Sequence, residues 1–274
     1  MNGEEYMDQE SSSQPKTQNK IHNNSQIINT HNIMKKTLLF ALAVLLLHGM
    51  TSAQSKWSYT LGFGGEGKSG NVNSVTLNNN GGIERNDSLL SFSADYSIIY
   101  GQKDHVEYDR GFNANLKFDL WQYDRWSPFF SASYLNNKYK GYEYKNSFLL
   151  GVKYRIYTLP GVCDYSVSAA FVYDFVQYTV EEDALKPQVA RISLRAKIKQ
   201  KIADGLTLKH TTFYQPSVSD FSGDYIVTSI TSLESKLTTH LFFDIAFNYE
   251  YRSLVPKGIE EQDIITTASL KLKF

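Results

Sequence analysis

The segment IITTASLKLKF, residues 264–274, alternates between two kinds of side chain along its length. One set is mostly apolar and comprises Ile264, Thr266, Ala268, Leu270, Leu272 and Phe274, whereas the intervening set is mostly polar and ends with Lys271 and Lys273. Successive side chains of a β-strand point to opposite faces, so a period of two separates an apolar face from a polar face. The segment therefore predicts a β-strand with one face in contact with an apolar medium.

The same alternation recurs along the rest of the chain, whereas no long segment shows the spacing of an amphipathic helix. The 19 Tyr, 16 Phe and 3 Trp residues also favour strands. The pattern predicts twelve strands at residues 57–67, 71–84, 88–100, 107–121, 126–136, 142–156, 164–178, 187–202, 206–215, 224–233, 238–253 and 262–274. These segments exceed the roughly 5–6 residues typical of soluble sheets. They reach the roughly 9–11 tilted residues that cross a bilayer.

Short and long links alternate between the predicted strands. If the N-terminus lies on the inner side, the short inner links are residues 85–87, 122–125, 203–205 and 234–237, and the longer outer links are 101–106, 137–141, 179–186, 216–223 and 254–261. Residues 68–70 and 157–163 are exceptions. Short periplasmic turns and longer external loops are typical of transmembrane barrels.

Aromatic residues fall at both ends of the predicted strands. Trp57, Trp121 and Trp126 lie at inner ends, and Tyr100, Tyr108, Tyr134, Tyr142, Tyr178, Tyr214, Tyr225 and Tyr251 lie at or near outer ends. Trp and Tyr favour the two membrane interfaces, so two aromatic girdles are expected. The sequence thus predicts an all-β fold, a transmembrane antiparallel up-and-down β-barrel of about 12 strands, in residues 54–274.

A glycine-rich stretch at residues 62–82, GFGGEGKSGNVNSVTLNNNGG, could be mistaken for a phosphate-binding loop. Such a loop needs a helix behind it to direct backbone amides at the phosphate, and no helical pattern follows. Glycines within a strand permit bending, and Gly70-Asn71 suits a tight turn. The stretch is predicted to be a hairpin in the barrel wall.

The N-terminal residues differ in composition from the predicted barrel. Residues 1–33 are polar and are expected to be a disordered or mis-assigned extension. Residues 34–53 combine a basic start at Met34, a ten-residue apolar run at 38–47 and small residues at 51–53, which is typical of a signal peptide. Translation from Met34 is the simplest account.

The charge balance and the single cysteine exclude several classes of protein. The chain has 28 basic and 28 acidic residues, so a nucleic-acid partner is not expected. Cys163 is the sole cysteine, and no Cys and His spacing resembles a metal site. Neither a metal nor another cofactor is predicted.

Several short motifs resemble those of one family. They are GKSGNVN at residues 67–73, Asp95-Tyr96-Ser97, FDL at 118–120 and FFSASY at 129–134. These motifs resemble the putative salt-induced outer-membrane proteins, and the resemblance spans residues 57–274. It implies a barrel in the outer membrane of a Gram-negative cell, without a known ligand or catalytic residue to carry over. Outer-membrane lipid and lipopolysaccharide are the partners expected there. The terminal Phe274 resembles the signal that the barrel-assembly machinery recognises during insertion.

Charged residues on the polar faces of the strands are the candidate functional residues. The predicted lumen-lining set is Arg191, Arg195, Lys197, Lys199, Lys153, Arg155, Asp119, Asp244 and Glu250. A Lys or Arg facing lipid at the midplane costs roughly 2–4 kcal/mol, so these faces should point inward. Two interpretations follow: an ion-paired filling that holds a narrow barrel closed, which the modest strand number favours, or a weak path or site for anions.

A passive role, as a narrow pore or an envelope structural protein, is therefore predicted, with a small ion or solute as the candidate cargo. One alternative is an outer-membrane enzyme that modifies lipid with a Ser/His arrangement. His210 and His240 lie in no recognisable arrangement with Ser and Asp or Asn, and His210 is expected near the outer rim, so the chain is predicted not to be an enzyme. The other alternative is a soluble periplasmic barrel that binds a ligand.

Overall fold

The fold is a closed antiparallel barrel of twelve strands in sequential order. A computed structural model describes residues 57–70, 74–103 and 106–274. The strands are β1 Trp57–Gly70, β2 Ser74–Arg85, β3 Leu90–Lys103, β4 Val106–Leu120, β5 Trp126–Asn137, β6 Tyr142–Leu159, β7 Cys163–Tyr178, β8 Gln188–Ala203, β9 Leu206–Pro216, β10 Tyr225–Lys236, β11 Leu241–Arg252 and β12 Gln262–Lys273. Each strand pairs with its neighbours in the chain, and β1 pairs with β12. The predicted barrel of about 12 strands is confirmed, whereas the extension at 1–33 and the signal peptide at 34–53 lie outside the described residues.

Closure of the barrel depends on the register between its first and last strands. β1 and β12 pair antiparallel from Thr60↔Lys273 to Gly70↔Asp263. Closure leaves no sheet edge with unpaired backbone groups. The alternation at residues 264–274 therefore belongs to a strand with a neighbour on each side.

The glycine-rich stretch forms the predicted hairpin in the wall. β1 and β2 pair from Trp57↔Arg85 to Lys68↔Ser74. Both strands are part of the closed sheet, because β2 also pairs with β3. The predicted turn at Gly70-Asn71 falls partly outside the described residues.

Three predicted links differ from the structure. β3 continues to Lys103 and β4 begins at Val106, so both strands extend into the predicted outer link at 101–106. β6 continues to Leu159 and β7 begins at Cys163, so the inner link is residues 160–162, and Gly161 adopts the positive φ of 74° that this tight turn requires. β10 continues to Lys236, which moves the next inner turn from 234–237 to 237–240. In β6 a register shift between Arg155 and Tyr157 interrupts the alternation before the strand ends. In β10 the last residues, 234–236, are polar and resemble a turn in sequence.

The two faces of the sheet have opposite chemistry. Large apolar side chains are exposed on the outward face, including Leu150 at 67%, Leu194 at 48% and Leu270 at 48%. The buried set is rich in polar side chains, among them Asp174 at 2% and Asp119 at 8%. This distribution is the reverse of that in a water-soluble domain. Among the described residues, no helix has the length and apolar character needed to cross a membrane.

Aromatic side chains form contacts at both ends of the barrel. At the inner end, the rings of Trp126 and Tyr154 are 4.6 Å apart. At the outer end, the ring of Tyr225 lies 5.9 Å from that of Tyr214 and 5.7 Å from that of Tyr251. These contacts agree with the predicted girdles.

Two members assigned to the outer girdle face inward instead. Tyr142 is buried, its ring lies 5.7 Å from that of Tyr178, and both side chains line an interior cavity. A bulge between Tyr142 and Tyr144 shifts the alternation at this end of β6, which turns Tyr142 inward.

Strand glycines are predicted to differ sharply in their tolerance of alanine. A Cβ on Gly151 would lie 2.5 Å from the Ala169 carbonyl oxygen and 2.5 Å from the Ala170 Cβ, so the neighbouring β7 backbone would have to shift. Gly151→Ala should therefore lower the free energy of unfolding by about 1–3 kcal/mol, the usual cost of overpacking. Urea unfolding of the barrel in detergent measures this change.

Gly65→Ala is the matched control, because its nearest atom, the Thr76 carbonyl oxygen, would lie 3.8 Å from the new Cβ. Its stability should stay the same or rise slightly, since glycine within a strand is entropically unfavourable. Equal losses in both variants would contradict the proposed packing of Gly151.

Candidate functional site

The barrel interior brings together side chains from strands that are not neighbours in the sheet. Lys153 on β6 lies 3.4 Å from Asp119 on β4. The Arg195 guanidinium on β8 lies 5.9 Å from the ring of Phe129 on β5. Because β5 and β8 are not neighbours in the sheet, the contact between Arg195 and Phe129 crosses the interior of the barrel. All nine residues of the predicted charged set share the inward-facing positions of their strands. Whether they line an open path stays a prediction.

At the outer end, eight charged residues form a neutral network, which we term the mouth cluster. Its members are Lys140, Lys145, Asp174, Arg191, Asp224, Glu250, Arg252 and Asp263. Four are basic and four are acidic, so their charges cancel. Only Arg191 and Glu250 belong to the predicted set.

One half of the mouth cluster is centred on Asp174 and Arg191. The Asp174 carboxylate lies 3.0 Å from Lys145 Nζ and 3.4 Å from Arg191 Nε. Arg191 also donates from Nη2 to the two Asp224 carboxylate oxygens, at 2.8 and 3.0 Å. The Asp174 and Arg191 side chains are almost fully buried, so each charge depends on its partners.

The other half of the mouth cluster is centred on Lys140 and Arg252. Lys140 Nζ lies 3.4 Å from Glu250 and 3.5 Å from Asp263. Arg252 donates from Nη1 to the Lys140 carbonyl oxygen and to the Tyr142 hydroxyl, each at 3.0 Å. Burial lowers the pKa of Lys140, but the Glu250 and Asp263 carboxylates outweigh burial and hold that pKa above its ordinary value. Lys140 is therefore charged at neutral pH.

Three outer links fold against the mouth cluster. Lys257 N donates to Glu182 Oε1 at 2.6 Å, which ties residues 253–261 to residues 179–187. Ser253 Oγ donates to the Gly223 carbonyl oxygen at 2.9 Å, which ties the first of these links to residues 217–224. A cavity of about 70 Å³ lies between these links and the mouth cluster and has room for a few water molecules. The outer end is thus narrow and highly cross-linked.

Further toward the inner end, the interior is rich in positive charge, and we term this region the cationic wall. Its basic members are Lys117, Lys153, Arg155, Arg195, Lys197 and Lys199, and its acidic members are Asp119 and Asp164. Asp119 pairs with Lys117 and with Lys153, and Asp164 pairs with Arg155 at 3.5 Å. Both carboxylates are therefore already engaged.

Three cations of the cationic wall form no ion pair within the described part of the chain, although Asp164 lies opposite Lys199 in the register of β7 with β8. Arg195, Lys197 and Lys199 occupy successive inward positions of β8. No ion pair joins any of them to a described acidic residue, and Arg195 instead lies over the Phe129 ring. Inward side chains two apart on a strand are about 6.6–6.8 Å apart along it, so these charges form a row that faces the interior.

A third group of charges lies on the part of the wall formed by β9 to β12. Glu234 accepts from Lys209 at 2.9 Å and from Lys273 at 2.8 Å, and Asp244 lies 3.0 Å from Lys271. Sequence reasoning missed Glu234 because it placed residues 234–237 in a turn. The residue shares the parity of Ile230 and Ser232, and that alternation could have identified it.

His210 does not lie at the outer rim as predicted, but in the middle of β9 on the outward face. Its Nδ1 lies 2.8 Å from Thr231 Oγ1, and its Nε2 lies 2.9 Å from Thr212 Oγ1. Two threonines therefore satisfy both ring nitrogens. His240, in the turn before β11, stacks on Phe274 at 5.6 Å. The described residues also contain no cluster of His, Cys, Asp and Glu suited to a metal ion.

A closed antiparallel barrel with an apolar exterior and a charged interior has the architecture of outer-membrane β-barrels. Residues 61–274 match the family described as "Protein of unknown function, DUF481", and the chain belongs to this family. The family description mentions no response to salt. The resemblance to salt-induced outer-membrane proteins therefore stays a prediction. No curated protein sequence is significantly similar to the chain.

Solved barrels share the fold at low sequence identity. The NanC porin superposes with a TM-score of 0.54 at 9% identity, covering 78% of this chain and 100% of that one. The translocator domain of the autotransporter NalP from Neisseria meningitidis superposes with a TM-score of 0.50 at 12% identity, covering 91% of this chain and 98% of that one. The KdgM porin superposes with a TM-score of 0.48 at 11% identity, covering 78% of this chain and 99% of that one. The similarity to the NanC porin and to the NalP translocator domain supports the barrel fold.

Removing one buried carboxylate should destabilise the barrel strongly. Asp174→Asn leaves Lys145 and Arg191 without their shared partner, and an uncompensated buried charge costs about 3–5 kcal/mol. The expected loss in the free energy of unfolding is of that order, measured by urea unfolding in detergent.

The matched control is Asp204→Asn, at a fully exposed carboxylate that pairs with Lys201 in an inner turn. No measurable change in stability is expected there, because solvent screens an exposed ion pair. A small effect of Asp174→Asn would show that the mouth cluster does not hold the barrel together.

Proposed function

We propose that the chain is an outer-membrane barrel that acts as a narrow, passive pore for small anions. The observation that carries this proposal is the row of Arg195, Lys197 and Lys199, which face the interior and form no ion pair with a described carboxylate. An ion-paired filling accounts for the mouth cluster, but it does not account for this row. Unpaired cations along an aqueous path attract anions and repel cations.

The outward face supports insertion into a membrane. Soluble proteins rarely expose contiguous apolar patches of more than a few hundred Å². Here large apolar residues are exposed on outward positions of strands around the barrel, such as Leu150 on β6, Leu194 on β8 and Phe247 on β11. Lipid is the medium that suits such a surface, with phospholipid and lipopolysaccharide as the proposed neighbours. A soluble periplasmic barrel would leave this surface in water.

Charge and size are expected to act at different levels of the pore. The mouth cluster is neutral, so its narrow cross-section rather than its charge restricts passage at the outer end. The cationic wall has six bases and two acids, so it provides the preference for anions. A unit charge 4 Å from an ion contributes about 1 kcal/mol in water.

A structural role is the second candidate function, and the mouth cluster favours it. The network and the three outer links over it could keep the outer end closed at all times. The barrel would then strengthen the envelope without conducting ions. Conductance distinguishes these two roles directly.

The purified barrel should conduct in a planar bilayer and prefer chloride to potassium. Lys197→Gln should lower the permeability ratio of chloride to potassium by up to about thirtyfold, because it removes about 1 kcal/mol of attraction for chloride and about 1 kcal/mol of repulsion for potassium. The measurement is the reversal potential in a gradient of potassium chloride. A folded barrel that never conducts would contradict the pore and favour the structural role.

Lys257→Gln is the matched control, because it removes the same charge from an exposed position in an outer link. Its effect on the reversal potential should be small and should disappear at high salt, since exposed charges are screened. An equal effect in both variants would place the selectivity outside the cationic wall.

Membrane location has its own test. The protein should be recovered in the outer-membrane fraction and should migrate differently on gels before and after boiling, as a detergent-resistant barrel does. Recovery in the soluble periplasmic fraction would overturn the proposed location. Phospholipase activity that His210→Ala abolishes would instead favour an enzyme.

A further inference from the structure

The outward face of the barrel has an open groove across β5 to β9, with a volume of about 620 Å³. The groove contains the small residues Ala169, Ala196 and Thr212 among larger aliphatic side chains. Aromatic rings lie on either side, Trp126 and Tyr154 on one and Tyr214 on the other. The aliphatic side chains are Val152, Val167 and Leu194.

The groove forms where small side chains on β7, β8 and β9 lie near larger aromatic side chains on β5, β6 and β9. Ala196 pairs directly with Thr212 on β9 and with Val167 on β7, two residues from Ala169. On the neighbouring strands, Tyr154 pairs with Trp126, and their rings are 4.6 Å apart. The difference in side-chain size between these rows produces the groove.

The surface of the groove is almost entirely apolar in character. Ser168 and Arg195 also border it but occupy inward positions of their strands. Thr212 is an outward polar residue of the groove, and its hydroxyl is 2.9 Å from His210 Nε2. His210 in turn contacts Thr231 through its other ring nitrogen. Because this hydrogen-bond chain is satisfied within the wall, the groove has little need of water. An apolar chain is the chemistry that suits it.

Charges of both signs lie at the inner end of the groove. The Arg125 guanidinium lies 5.1 Å from the centre of the Tyr154 ring, which forms part of the groove wall. Asp124 precedes it in the same turn, and both residues are exposed. One cation beside one anion is complementary to the phosphate and the ammonium of a zwitterionic lipid head group.

From these features we propose that the groove binds a phosphatidylethanolamine molecule of the inner leaflet, with an acyl chain over Ala169 and Ala196 and its phosphate at Arg125. The inference rests on the proposed membrane insertion and on the assignment of the short turns to the periplasmic side. It adds a defined lipid site to a surface that otherwise contacts bulk lipid.

Quenching of Trp126 fluorescence by a brominated acyl chain tests the site. The full mature chain is used, with Trp57→Phe and Trp121→Phe leaving Trp126 as the sole tryptophan among the described residues. Brominated phosphatidylethanolamine is titrated into detergent micelles that contain the folded barrel. Brominated diacylglycerol, which lacks the phosphate, is the second probe.

Half-maximal quenching by the phospholipid should occur at a mole fraction roughly five- to tenfold lower than with diacylglycerol, because a charge-assisted contact to Arg125 is lost with the phosphate. Arg125→Gln should remove this difference. Ala196→Phe should fill the groove and weaken the quenching of Trp126 by both brominated lipids. The matched controls are Arg110→Gln, an exposed arginine near the outer end of β4, and Ala94→Phe, an outward alanine on β3; neither should change the quenching.

Quenching that follows the bulk lipid fraction equally for both probes and all variants would overturn the lipid site. Flotation of the same proteins with vesicles separates this result from failure of the membrane proposal. A barrel that floats but shows only bulk quenching refutes the site alone. A folded barrel that does not float refutes membrane insertion.

Discussion

Complete pairing of the backbone around a closed sheet is the constraint on which the rest of the structure depends. An apolar medium cannot satisfy free N–H and C=O groups, so a wall of strands in lipid must have no open edge. The pairing of β1 with β12 meets this requirement over eleven residue pairs, from Thr60↔Lys273 to Gly70↔Asp263. It also divides every strand into an outward and an inward face, which separates the apolar residues from the charged ones.

Inside the closed wall, the charges are arranged differently along the barrel. At the outer end, Arg191, Arg252 and their partners neutralise one another, and the links over them are held by contacts such as Ser253 to Gly223. Toward the inner end, Asp119 and Asp164 are too few to balance their basic neighbours. Buried ion pairs specify geometry more than they add stability. The neutral end therefore suits restriction by size, and the cationic end suits selection by charge.

The outward face also has features that the alternation of side chains does not predict. Period two places Ala196, Thr212 and Tyr214 in contact with the surrounding medium, but it does not reveal that small residues on three neighbouring strands form one groove. His210 illustrates the same point. Alternation does not reveal its two partners: Thr212 lies two residues along the same strand, and Thr231 is brought to it by the register of β9 with β10.

The sequence by itself determined the number of strands, most of their bounds and the face that each side chain occupies, because alternation is a local property of an extended chain. Only the tertiary structure decided which charges meet. Lys140 and Glu250 are 110 residues apart, and the contact between them depends on closure and register. The tertiary structure also decided that a bulge turns Tyr142 inward and that Glu234 belongs to β10. Such choices arise from the fit between distant strands, which no local pattern records.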